Sequence, residues 1–293
     1  MAHGAGFALI SFFLLAAMQW DRKLAGDWVG TGDNGNTRGL LVSAALMGLL
    51  LGVACMVRST NIIFAIVPIV LVVTRWTRTD KGQRVEEIKP ARLCSLVALG
   101  GALIGFVRQM IAWKILYGSY LTYTYQGETL HALPRYAGQV LFGLRNSLFV
   151  WTPLALVAVG GLVLAARRGQ ALAIAGLVVL LGTLWIYGSW ETYWLGHGFG
   201  MRGFVECSPF FFLGLASVWR RFGTGQRRRF IGRLGRGAIV LLVLWNLYFV
   251  MCYRADIQPH GEPFAGLELL TQWDRWWEQL LNETGISKLL SKF

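Results

Sequence analysis

Eight apolar runs, most of them close to the length that crosses a bilayer, constrain this chain more than any other feature. They lie at about 4–20, 39–57, 61–75, 93–113, 147–166, 171–189, 204–219 and 237–253. A spanning helix needs roughly 17–25 predominantly apolar residues. Helices are expected because in lipid each backbone donor and acceptor has to be satisfied inside its own segment. The run at 61–75 is the shortest, and its Pro68 predicts a kink. The first run has no cleavage site behind it and reads as an ordinary transmembrane helix, not a secretory signal. Composition agrees: 15% of residues are charged, against roughly 25% in soluble domains. The fold class that follows is all-α, a polytopic membrane protein with about eight transmembrane helices over 1–254 and a separate tail over 255–293.

The net charge of +13 would suit a nucleic-acid binder, so its distribution decides its meaning. With loops assigned alternately to the two sides, loop 21–38 holds three Lys or Arg, 75–92 holds six, the turn at 167–168 two, and 220–236 seven. Together these are eighteen of the 28 basic residues, all on one side. The positive-inside rule makes that side cytoplasmic. The charge is therefore a topology signal, and it lacks the interleaved basic and stacking residues of a nucleic-acid face.

The opposite side becomes the informative one. It receives Arg58, Lys114, Arg135, Arg145, Arg202 and Arg254 near helix ends, with Arg108 inside the fourth run. All four histidines fall there, His3, His131, His197 and His260, together with Glu128, Glu191 and Glu206. Ionisable groups at membrane depth are expensive and face a cavity or a partner, so a polar site on the outer side is expected. The stretch "GHGFGMRGFVECSPFFFLGL" places His197, Arg202 and Glu206 where the chain enters its seventh run. Plain structural readings stand beside this one. Arg58 can anchor a helix turn, Arg202 and Glu206 can form an i,i+4 ion pair, Arg108 can snorkel, and His131 and His197 can be ordinary interface residues.

The connection 114–146, "KILYGSYLTYTYQGETLHALPRYAGQVLFGLRN", is the longest between runs. A loop this long and aromatic is expected to be ordered and functional, capping the cavity, with room for a short interfacial helix. In the tail, Leu267, Leu270, Trp273, Trp277, Leu280 and Leu281 recur at helical spacing among charges. That pattern suits a helix lying in the membrane interface or one packed on the outer loops. The four cysteines form no CxxC pair or zinc spacing, and no phosphate-binding loop, dinucleotide fingerprint or His-Glu-x-x-His helix appears.

Three stretches together resemble the GT-C-fold integral-membrane glycosyltransferases, the group that holds protein O-mannosyltransferases and the lipid A aminoarabinose transferase, and above all their uncharacterised bacterial relatives. They are "GLLLGVACMVRSTNIIFAIVPIVLV" at 48–72, the aromatic loop leading to "LFGLRNSLFVWTPLALVAVGGL" within 117–162, and a W-x-G-x-x-F-G-x-R entry formed by Trp194, Gly196, Phe199, Gly200 and Arg202. "LWNLYFVMCYR" at 244–254 is similar to the last span. The resemblance covers nearly the whole chain. It also implies an acidic residue on a first outer loop, whereas "MAHGAGFALISFFLL" resembles a helix from the middle of such a fold. An upstream segment or a partner is then expected to supply the missing N-terminal helices.

The resemblance implies an enzyme that moves a sugar from a polyprenyl-phosphate carrier to an acceptor hydroxyl on a glycan, lipid or protein, at the periplasmic face of a bacterial inner membrane. Arg202, Arg58 and Arg145, with His197 as a hydrogen-bond donor, would meet the donor phosphate, since arginine pairs phosphate bidentately and keeps its charge near lipid. Glycines before Arg202 would let the backbone approach that phosphate. Glu191, Glu206 and Glu128 are the carboxylates open to proton transfer. Tyr117, Tyr123, Tyr125, His131 and Trp194 form the expected substrate loop. No cofactor is called for, and no acidic pair marks a divalent-metal site. An O-antigen ligase or polymerase is the nearest alternative. A lipid or solute transporter would favour an inverted repeat, which the sequence lacks, and a scaffold without chemistry is the remaining class.

Overall fold

The computed structural model describes residues 2–24, 33–78, 81–122, 127–196, 198–221 and 226–254. Among them the chain is mostly helical and has no strand. Helices α1 (Ala2–Leu24) and α2 (Asp33–Val57) are followed by a 3-10 turn, Ser59–Ala65, that runs into α3 (Ile66–Trp76). Next come α4 (Lys81–Tyr117), α5 (Ala137–Phe142), α6 (Leu148–Trp151), α7 (Pro153–Arg167) and α8 (Ala171–Gly188). A second 3-10 turn, Arg202–Cys207, leads into α9 (Ser208–Arg221), and α10 (Gln226–Arg254) follows.

Among the described residues six stretches are long and apolar enough to cross a membrane: His3–Leu24, Thr37–Val57, Ser59–Trp76, Pro90–Tyr117, Ala171–Gly188 and Gly232–Met251. Two expected runs come out shorter. The run at 147–166 breaks at Thr152, whose φ of −134° and ψ of 73° are not helical. Pro153 follows it, and a proline ring disfavours the helical conformation in the residue before it. The run at 204–219 opens in the 3-10 turn and leaves α9 only 14 residues. Pro68 makes no mid-helix kink either, since it stands at the third position of α3, where no intrahelical N–H bond is due.

Two basic loops are partly helix. α4 begins at Lys81 and α10 at Gln226, so the arginine-rich stretches wind directly into the apolar segments. In the 114–146 connection, α4 persists to Tyr117, Gly118 turns the chain with φ of +75°, and the expected short helix is α5. Tyr123, Tyr125, His197 and the tail 255–293, with its expected helix, lie outside the described residues.

The chain divides into two compact units. The first comprises Met1–Glu128, Leu162–Thr183 and Val205–Gly214. Here α1 and α2 are antiparallel: Lys23 Nζ donates to Gly39 O at 3.0 Å and Ser43 Oγ at 2.8 Å near one end, while His3 and Arg58 meet at the other. Asp21 and Arg75 pair at 2.9 Å at the Lys23 end. Above that pair Trp20, Leu24, Leu40, Val72, Ala91 and Cys94 form a buried core.

α4 runs along α2 in the same direction, and the sequence explains how closely. Gly48 and Gly52, and Gly101 and Gly105, are spaced four apart, so each pair shares a helix face and strips it of side chains. A Cβ on Gly48 or Gly52 would overlap the carbonyl of Ala98 or Ala102. One on Gly101 would stand 2.5 Å from Ala45 O, and one on Gly105 2.6 Å from Leu49 O. Side chains turned outward are also apolar: Ile104 of α4 is 69% exposed. An apolar outer surface of this kind needs lipid or a partner around it.

The second unit comprises Thr129–Gly161, Leu184–Phe204 and Leu215–Phe293. Its centre is the buried Trp151, whose Nε1 donates to Leu144 O at 3.0 Å and whose ring meets Phe199 and Tyr253 edge-on. Asn246 of α10 donates to Trp151 O at 2.8 Å. The end of α8 is tied to the long connection by a single bridge between Leu130 and Trp190 and by His131 N donating to Ser189 O at 2.8 Å. Cys55, Cys94 and Cys207 are free thiols in buried positions, which agrees with small apolar filler.

Candidate functional site

In the first unit a carboxylate is buried among two basic side chains. Glu206 is 2% exposed. Its Oε2 lies 3.6 Å from Arg58 Nη1, and its Oε1 lies 3.7 Å from His3 Nδ1. Arg58 Nη1 and His3 Nδ1 are 3.3 Å apart, so the guanidinium donates to a ring nitrogen that carries no proton in this arrangement. Oε1 of Glu206 has no hydrogen-bond partner among the described residues.

Local sequence places each member. Arg58 is the single extended residue between α2 and the 3-10 turn, with φ of −152° and ψ of 120°. Asn61 braces the break: its buried amide donates to Ala54 O at 2.9 Å, the carbonyl that also accepts the Arg58 N–H at 3.1 Å. Glu206 sits on the second 3-10 turn, which Ser208 closes by donating to Val205 O at 2.6 Å. Phe210 follows and stacks on Phe64 at 6.2 Å against the bare face of Gly176. Gly6 completes the seat, because a Cβ there would stand 2.8 Å from Glu206 Oε1. An isolated charge among apolar helices is prohibitive, so the carboxylate stays ionised only beside its cation.

A second cluster lies in the other unit. The guanidinium of Arg145 covers the Trp194 ring at 4.1 Å. Asn146, left-handed at φ of 49°, donates to Trp194 O at 2.9 Å and Gly196 O at 3.0 Å. Arg202 donates to the Leu195 carbonyl. The glycines here make room for side chains and turns: a Cβ on Gly198 would stand 2.8 Å from Arg202 Cδ, and Gly196 and Gly200 both have positive φ. Replacing Asn146 with alanine is expected to cost about 1–3 kcal/mol, from the two part-buried hydrogen bonds lost to Trp194 O and Gly196 O and the lost tolerance of a positive φ. Asn146→Gly keeps the backbone freedom and isolates the hydrogen-bond part; thermal unfolding of both variants measures the two contributions.

The candidate residues thus separate. Arg58 and Glu206 come together; Arg145, Arg202 and Trp194 share the loop cluster of the second unit. Arg202 and Glu206, for which an i,i+4 pair was the plain structural alternative, belong to different units. Glu191 is exposed and Glu128 half-buried, and neither forms an ion pair among the described residues. Tyr117 is exposed at the end of α4, and His131 is half-buried beside Tyr136. Among the described residues no three His, Cys, Asp or Glu side chains gather as a metal site requires. His3 and Gly6 escaped the sequence reading as site members. The only signal was His3's assignment to the same side as Arg58 and Glu206.

Compared with known proteins, the chain matches no family model, no curated protein and no solved structure. What fold and site define is a class: a mostly helical chain with, among the described residues, six helices long and apolar enough to cross a membrane, and a buried carboxylate facing a guanidinium and an imidazole.

Proposed function

We propose that the chain is a membrane glycosyltransferase, moving a sugar from a polyprenyl-phosphate carrier to an acceptor hydroxyl at the outer face of a bacterial inner membrane. The observation that supports this most is Glu206, a buried carboxylate with one oxygen beside Arg58 and the other without a hydrogen-bond partner among the described residues. In this reaction the bond from the anomeric carbon to the phosphate oxygen breaks, the acceptor oxygen takes its place, and the acceptor's proton has to leave. Glu206 receives that proton on Oε1. Arg58 pairs with the phosphate as its charge grows, in a site where low dielectric makes the attraction strong. His3 positions Arg58 through its Nδ1. Arg145, Arg202 and Trp194 hold their loop, and Glu128 and Glu191 stand outside the chemistry. The reading takes α7 and α9 as crossing the membrane with the six longer helices, which gives eight spans and puts the basic loops in the cytoplasm.

A second reading, a proton-coupled transporter, is favoured by a histidine and a glutamate 3.7 Å apart beside an arginine, since ionisable groups gathered among apolar helices mark ion and proton pathways. Both are decided in proteoliposomes containing synthetic polyprenyl-phosphate sugars. Carrier binding and sugar transfer are expected, with Glu206→Gln lowering transfer by roughly 10²–10⁴ and Arg58→Ala by roughly 10²–10³. Absence of both binding and turnover overturns the enzyme reading, and Glu206-dependent proton flux then establishes the transporter.

A further inference from the structure

The first unit holds a cavity of about 610 Å³ along α1 to α4, away from the charged cluster. Its walls are apolar, and among the described residues that line it Arg92 is the only charged side chain. Ile69 and Leu99 stand on its rim, 60% and 58% exposed, so the cavity is a groove open to the side of the helices.

Its depth is informative. Along α4 the lining runs from Ala91 to Ala102, roughly 17 Å at ~1.5 Å per residue. That is close to half of a hydrocarbon core about 30 Å thick, the depth of one leaflet. Trp20 and Trp76 lie at the Arg92 end, where indoles sit at headgroup level in membrane proteins. Of the nearby cations, Arg75 is paired with Asp21 and Lys23 donates to Ser43 and Gly39. Arg92 forms no ion pair among the described residues.

We infer that this groove is a binding site for an anionic phospholipid of the leaflet on the Arg92 side, one acyl chain filling the groove and the phosphate resting on Arg92. Charge and length select the occupant together: a hydrocarbon chain one leaflet deep, with an anion at its mouth. The site is separate from the Glu206 cluster and holds whether or not the chain transfers sugar.

The intact chain is reconstituted in mixed vesicles of phosphatidylglycerol and phosphatidylcholine. Each lipid in turn carries a photoreactive diazirine on one acyl chain, and labelled peptides are mapped. Phosphatidylglycerol is expected to label the segments around Ile69 and Leu99 about fivefold more than phosphatidylcholine, the preference one arginine gives near an anionic surface. Arg92→Gln should equalise the two lipids. Leu99→Trp should fill the groove and remove label there while leaving the outer face of α10 labelled; Ile69→Trp does the same from the other rim if the first variant does not fold. Even labelling of all exposed apolar faces with no headgroup preference overturns the site. So does exclusion of lipid with chain-to-chain cross-links at Ile69, which would put a second copy in the groove.

Discussion

Gly101→Ala is expected to loosen the α2–α4 interface and lower the thermal unfolding midpoint of the protein in detergent, while Gly100→Ala, one residue away, is expected to raise it slightly. The added methyl at 101 would stand 2.5 Å from Ala45 O and 3.0 Å from Leu49 N, both backbone atoms that cannot turn aside. At 100 it meets nothing within 4 Å. Overpacking of a tight contact costs about 1–3 kcal/mol, whereas replacing a mid-helix glycine in open space gains about 0.5–1 kcal/mol. Gly48→Ala should be worse than Gly101→Ala, because its methyl would coincide with the Ala98 carbonyl. Equal midpoints for the 100 and 101 variants would mean that α2 and α4 do not pack through their glycines.

Arg58→Ala is expected to destabilise the chain more than the double variant Arg58→Met with Glu206→Leu. The single change leaves Glu206, 2% exposed, as an unpaired charge among helices. Breaking a buried pair from one side costs about 3–5 kcal/mol, whereas replacing both partners by apolar groups of similar volume is often neutral or stabilising. Unfolding midpoints of the single and double variants measure the difference. Recovery of stability without recovery of transfer would separate the role of the pair in chemistry from its role in folding. A double variant as unstable as Arg58→Ala would show that the pair is required for the fold itself.

Much of the architecture was legible because its cause is local. Apolar length specifies helices whatever they pack against, since each satisfies its own backbone in lipid. Six of the eight runs gave helices long enough to cross a membrane. The two that shortened, at Thr152–Pro153 and at the 3-10 turn Arg202–Cys207, each have a proline at the start of the helix that follows, Pro153 and Pro209. Both prolines were visible in the sequence; the 3-10 form of the second entry was not.

The site divides in the same way. That Arg58 and Glu206 are conspicuous follows from the sequence alone, because charge is expensive in an apolar chain. That they face one another, with His3 as third member and Gly6 making room, was decided by tertiary structure, since residues 3, 58 and 206 come from three segments whose approach depends on helix packing and not on spacing. Likewise the four-residue glycine spacing in α2 and α4 leaves a bare face on each helix, but only the fold chose which carbonyls it meets. Local hydrogen bonding and solvent transfer are properties of a segment, and the sequence determines them; contact between segments is a property of the whole packed chain, and only the structure does.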